Sequence, residues 1–157
     1  MIKVLFVCLG NICRSPTAEG VFTHLITQEK LTDKITVDSA GTLGFHSHSQ
    51  PDSRAQSAAL KRGINISHLR ARQVTREDCY EFDYILAMDK DNYATLQSLC
   101  PPAQRDKIRL FLDFAPQINR REVPDPYSGG AHGFELVLDL VEAASVGLLA
   151  DIRHQHL

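Results

Sequence analysis

The chain alternates short apolar runs with longer stretches whose apolar residues recur at helical spacing. Ile2–Val7 (IKVLFV) predicts a buried strand. Pro16–Leu31 then sets Ala18, Val21, Phe22, Leu25 and Ile26 on one helical face. Ser15-Pro16 offers that helix a polar cap followed by proline at the first position. Ile35–Ser39 (ITVDS) predicts a second strand, and Ala40–Pro51 a polar loop. Asp52–Arg62 reads as a helix ended by Gly63, and Thr75-Arg76-Glu77-Asp78 has the order of a capping box opening a short helix. Tyr84–Met88 and Ile108–Leu112 predict the third and fourth strands, with a helix over Asp89–Leu99 that stops before Pro101-Pro102. Pro124–Gly130 is a loop. Phe134–Ile152 is the longest helix, with Leu136, Val137, Leu140, Ala144 and Leu148 on its apolar face. Strands alternating with helices predict an α/β fold: a four-stranded parallel sheet with helices on both faces. Ligands of such sheets bind beyond the carboxyl ends of the strands.

Composition narrows the functional classes. The 157 residues suit one domain, 1–157, with a sizeable core and no internal repeat or linker. A net charge of −2 argues against a nucleic-acid binder. No apolar run approaches the roughly 20 residues needed to cross a bilayer. The apolar start, MIKVLFVC, lacks a basic flank and a cleavage site, so it reads as a strand and not as a signal peptide.

Four cysteines, Cys8, Cys13, Cys79 and Cys100, are too few for a secreted disulfide scaffold and lack zinc-site spacing. They point to the reducing cytoplasm, with Cys79 and Cys100 structural. The pairs His46/His48 and His154/His156 read as solvated surface histidines, so neither a metal nor a cofactor is expected.

The chemistry concentrates in Val7–Pro16, VCLGNICRSP. A strand delivers Cys8 into a loop containing Gly10, and a helix opens at about Ser15. Successive amides of such a loop can form a nest, and the helix N-terminus adds partial positive charge. Arg14 brings a planar fork of donors suited to phosphate oxygens. The result is an anion cradle with a sulfur at its base, and the thiolate is the reactive form of that sulfur.

Cys8 to Arg14 is C-x5-R, and the whole string resembles the phosphate-binding loop of the low-molecular-weight protein tyrosine phosphatases. The resemblance extends to DSAGT (Asp38–Thr42), ARQVTREDCYEFDYILAMD (Ala71–Asp89) and VPDPY (Val123–Tyr127), in the family's order. It implies Cys8 as nucleophile on phosphorus, forming a cysteinyl-phosphate. Leu9, Gly10, Asn11, Ile12, Cys13, Arg14 and Ser15 would bind phosphate, with Arg14 also stabilising the transition state. Asn11 would shape the loop and Ser15 would stabilise the thiolate.

Asp125, between two prolines, would act as general acid and then as base. Tyr127 and Phe45 would wall an aryl pocket, together with Ile12. Ile12 stands where related arginine phosphatases usually carry threonine. Cys13 would form a reversible disulfide with Cys8. The family's second tyrosine is replaced by Ser128, which removes one aromatic wall. His68 and Glu19 would support the loop asparagine, and Asp89 would cap the helix that follows the third strand. The implied partners are phosphotyrosine proteins, with inorganic phosphate as product and competitive inhibitor. A thiol-dependent arsenate reductase, an arginine phosphatase and a non-enzymatic phosphotyrosine-binding module are the alternatives.

Overall fold

The computed structural model describes residues 1–127 and 129–157, so the expectation at Ser128 lies outside the described residues. Among them, β1 (Ile2–Cys8), β2 (Ile35–Gly41), β3 (Tyr84–Ala87) and β4 (Ile108–Leu110) form one sheet of order β2-β1-β3-β4, and every pairing is parallel. The helices are α1 (Arg14–Gln28), α2 (Ser53–Leu60), α3 (Arg76–Glu81), α4 (Lys90–Leu99) and α5 (Ala131–His156). Phe111–Phe114 forms a 3-10 turn directly after β4.

β1 is interior, and its side chains alternate between two cores. Val4, Phe6 and Cys8 join the core that also takes Phe22 of α1 and Leu138 and Val141 of α5. Phe6 meets Phe22 and Phe111 edge-on, with ring centroids 5.9 and 5.0 Å apart. Leu5 and Val7 face the other core, with Ile85, Leu96 and Ile108. This strict period of two places Cys8 on the α1/α5 side, at the carboxyl end of a central strand.

Element ends differ from the sequence expectation for local reasons. α1 starts at Arg14, so Pro16 occupies its third position and Ser15 is not the cap. Proline is tolerated there because the first four helical amides have no partner within the helix. α1 also ends at Gln28, short of Leu31. α5 extends from Ala131 to His156, beyond both expected ends. β4 stops at Leu110 because the chain tightens into the 3-10 turn. Asp52 caps α2 by accepting from the Arg54 amide at 2.8 Å. The capping box at Thr75 and Asp78 is present.

One expectation about the cysteines needs correction: Cys79 and Cys100 are structural, but as a disulfide. It ties α3 to the residue after α4 inside the second core, where the two cysteines are 0% and 1% exposed. Cys8 and Cys13 are free.

α5 packs against the 3-10 turn so closely that a Cβ on Gly147 would collide with the Phe114 carbonyl oxygen. The neighbour is backbone on both sides, so no side-chain rotation relieves the clash. Gly147→Ala should therefore destabilise by about 3 kcal/mol, despite alanine's better helix propensity. In a chain of this size that lowers Tm by roughly 6–12 °C. An unchanged Tm in a thermal melt would refute the close packing.

Candidate active site

The loop after β1 is held from outside. The carbonyls of Cys8, Leu9, Ile12 and Cys13 accept from the amides of Thr42, Leu43, Asp52 and Thr17 at 2.9, 3.0, 2.8 and 3.3 Å. In a planar trans peptide the N–H points opposite to the C=O. Anchoring these four oxygens outward therefore turns the N–H groups of Leu9, Gly10, Cys13 and Arg14 toward the inside of the loop.

Asn11 occupies the left-handed region, φ 58°, which asparagine tolerates better than most residues. Its buried side chain keeps the loop in that shape. Nδ2 donates to Ser15 Oγ at 2.7 Å and to Ser39 Oγ at 3.0 Å. Oδ1 accepts from the Arg72 amide at 3.0 Å. That last bond departs from the sequence expectation. His68 is exposed and does not reach Asn11. The segment through Arg72 runs along the end of β2, with the Gly41 amide donating to the Arg72 carbonyl, and so a backbone amide takes the position expected for the histidine.

The Cys8 sulfur lies at the base of the loop, 3.0 Å from Ser15 Oγ and 3.3 Å from the Asn11 amide that donates to it. Cys13 lies beside it and is quite different. Burial first, then the negative charges of Asp52, Cys8 and Asp125, push its thiol up to about 12. Cys13 therefore stays a neutral thiol at physiological pH.

Arg14 is buried, and its Nη1 donates to Asp89 Oδ2 at 2.6 Å and to the Val123 carbonyl at 3.1 Å. Its Nη2 is 3.8 Å from Asp125 Oδ2. Burial opposes the guanidinium charge, but Cys8, Asp89 and Asp125 outweigh it and hold the pKa above its ordinary value. Arg14 is thus locked in place as a permanent cation.

Cys8, Leu9, Gly10, Ile12, Cys13, Arg14, Phe45, Asp125 and Tyr127 line one cleft of about 320 Å³. Asn11 and Ser15 are buried behind it. Phe45 and Tyr127 stand at the mouth, 87% and 52% exposed, which leaves their rings available to a ligand.

Sequence reasoning missed two contributions. His46 lines the same cleft, edge-on to Phe45 at 5.0 Å, and close enough to Gly10 that a Cβ there would lie 3.0 Å from its ring. Its position next to Phe45 was the available signal. Asp89 does cap α4, accepting from the Asn92 amide at 2.8 Å, but it also holds Arg14. Its signal was a carboxylate placed just past the end of a strand that neighbours β1. Among the described residues, no three His, Cys, Asp or Glu side chains gather into a metal-binding cluster. Inward amides and a fixed guanidinium suit an anion.

Glu19 joins the support behind the loop, accepting from Ser39 Oγ at 2.7 Å. Burial raises its carboxyl from an ordinary 4.5 to about 7, with the Ser39 hydrogen bond opposing and Asp38 adding to the shift. A carboxyl raised on folding loses its proton first in the unfolded chain. Its contribution to stability is therefore lost as pH rises from about 4.5 to about 7. Urea denaturation at about pH 5 and about pH 8 should show this fall in the wild type and a smaller one in Glu19→Gln. An identical fall in both proteins would reject it.

Comparison with known proteins agrees with the geometry. The family model described as low molecular weight phosphotyrosine protein phosphatase matches residues 3–157. The low molecular weight protein-tyrosine-phosphatase YfkJ of Bacillus subtilis is 41% identical over 155 residues, covering 99% of this chain and 98% of its own. The low molecular weight phosphotyrosine protein phosphatase of Homo sapiens is 45% identical over 137 residues, covering 86% and 85%. A crystal structure of protein tyrosine phosphatase from Entamoeba histolytica superposes with a TM-score of 0.96 at 44% identity, covering 100% of both chains. With its sulfur-based anion loop after β1 and a match along nearly its whole length, this chain belongs to the low molecular weight protein-tyrosine-phosphatase family.

Proposed function

We propose that residues 1–157 act as one phosphotyrosine-protein phosphatase unit in which Cys8 attacks phosphorus, Arg14 and the loop from Leu9 to Ser15 bind the phosphoryl group, and Asp125 handles the proton. What carries this reading is one juxtaposition: a sulfur bonded by Ser15 and the Asn11 amide at the base of a cleft, with Arg14 on its wall and Asp125 3.8 Å from that guanidinium.

In the first step the Cys8 S–P bond forms and the bond from phosphorus to the tyrosyl oxygen breaks. Asp125 gives that oxygen its proton. In the second step Asp125 takes a proton from water, the water oxygen bonds to phosphorus, and the S–P bond breaks. Phosphate leaves, and at high concentration it rebinds as a competitive inhibitor. Arg14 and the inward amides carry the charge spread over the equatorial oxygens. Phe45, Tyr127 and Ile12 receive the aryl ring, and the depth of the slot disfavours the shorter phosphoserine. When peroxide oxidises Cys8 to the sulfenic acid, the neighbouring Cys13 thiol attacks that sulfur and water leaves; the resulting disulfide is reversible by thiols and spares Cys8 from further oxidation.

A cytoplasmic location is part of the proposal, because Cys8 must stay reduced to act. The buried Cys79–Cys100 pair is shielded from the thiols of such a compartment. That pair also weighs against arsenate reduction. A thiol relay needs two further cysteines within reach of Cys8, but these two are bonded to each other in the core on the opposite face of the sheet.

Phosphate release from phosphotyrosine, phosphoserine and phosphoarginine peptides tests the reading. Release mainly from phosphotyrosine is expected. Preference for phosphoarginine, or release from none, would overturn it.

A further inference from the structure

Arg54 belongs to none of the roles above, yet it touches both halves of the cleft. It lies at the start of α2, and its Nε and Nη2 grip Asp52 Oδ1 and Oδ2 at 3.0 and 2.9 Å. The Asp52 amide in turn donates to the Ile12 carbonyl of the anion loop at 2.8 Å. On the other side, Arg54 Nη2 donates to the Tyr127 carbonyl at 2.9 Å. The guanidinium carbon also lies 5.5 Å from the Tyr127 ring centroid and 4.8 Å from that of Phe134 on α5, within cation–π range. The Tyr127 amide then donates to Asp125 Oδ1 at 3.0 Å.

From these contacts we infer that Arg54 is the positioning residue that latches the loop carrying Asp125 to the loop carrying Cys8. The inference rests on the phosphatase reading above. The bridge is continuous: Ile12 carbonyl, Asp52, Arg54, Tyr127 backbone, Asp125 carboxylate. Every link is a hydrogen bond or ion pair of 3.0 Å or less. The Arg54 hydrogen bond holds the Asp52 carboxyl below the usual carboxylate range, so the pair stays charged.

The segment from Pro124 to Tyr127 has no regular secondary structure of its own to fix it. Nor does a carboxylate 48% exposed have packing to do so. The carboxylate is positioned from outside: Arg14 faces one oxygen at 3.8 Å, and Arg54 takes hold of the residue whose amide bonds the other. A lysine is a poor substitute: it lacks the Nε donor to Asp52 and the planar face over Tyr127 and Phe134, and its nitrogen ends one bond short of the Nη2 that reaches both Asp52 and the Tyr127 carbonyl.

The signature of such a latch is dependence on the leaving group. Tyrosine leaves as a phenol with a pKa near 10 and needs the acid, whereas dinitrophenolate leaves unaided. The test compares kcat/KM for a phosphotyrosine peptide and for dinitrophenyl phosphate in wild type, Arg54→Ala and Arg54→Lys. Both variants should lose about 10-fold on phosphotyrosine and no more than about 2-fold on dinitrophenyl phosphate. Arg54→Lys keeps the charge and helix propensity, so it answers the question even where alanine loosens α2. A wild type that cleaves both esters, with variants that lose equally on the two or on neither, would overturn the inference alone. A wild type that cleaves neither ester would overturn the phosphatase reading, and this inference with it.

Discussion

Cys8→Ser should bind inorganic phosphate and yet release none from a phosphotyrosine peptide. The cradle that holds the anion is made of inward amides and Arg14, and serine leaves both in place. The nucleophile itself is lost, because a serine hydroxyl at this site has no base to take its proton. The side-chain oxygen in contact with it is Ser15 Oγ, another hydroxyl. Turnover should fall by roughly 10⁴-fold or more, the scale of losing a covalent nucleophile. Acid-quenched wild type should carry a phosphoryl group on Cys8 by mass spectrometry, and the variant should carry none. Saturating phosphate should still raise the variant's Tm, since a ligand that binds only the folded state stabilises it. More than about 1% residual turnover would place the nucleophile elsewhere.

Asp125→Ala should lower kcat/KM on the same peptide by roughly 10²–10³-fold, the range of a positioned general acid. The loss should shrink toward nothing with dinitrophenyl phosphate, and phosphate affinity should change little. Arg14 Nη2 lies 3.8 Å from Asp125 Oδ2, so the carboxyl stands beside the guanidinium that receives the phosphoryl group. A general acid must bring its proton to the step, so the wild-type rate should decline toward alkaline pH, and the variant should lack that decline. Equal losses on both esters would remove Asp125 from the acid role.

The parallel sheet and the parts of this fold written in local sequence were readable, and the contacts between distant segments were not. β1 announced itself through six consecutive apolar-rich positions, and the loop after it through a string whose residue types match its chemistry one by one. Period and cap signals located the five α-helices among the described residues but not the 3-10 helices over Pro102–Lys107 and Phe111–Phe114, and boundaries slipped where local cues were weak. Ala131–Gly133 carries no apolar spacing to mark the start of α5. The Cys79–Cys100 bond joins residues 21 apart whose meeting depends on how α3 and α4 pack, which no local pattern encodes. The same holds for Arg72: its contribution to Asn11 is a backbone amide, and an amide has no sequence signature. His46 read as a surface histidine because its neighbour across the cleft, Gly10, lies 36 positions earlier in the chain.

Asp89 spends one carboxylate oxygen on Arg14 and the other on the Asn92 amide. The first turn of α4 is therefore wired to the floor of the cleft through a single side chain. Any anion that pulls on the Arg14 guanidinium redistributes charge between those two oxygens, and so alters the polarisation of one amide hydrogen on a helix that never touches the ligand. The Asn92 amide resonance should therefore shift as the site fills. Following it by NMR on the isotope-labelled intact protein would titrate ligands with no chromophore or turnover required.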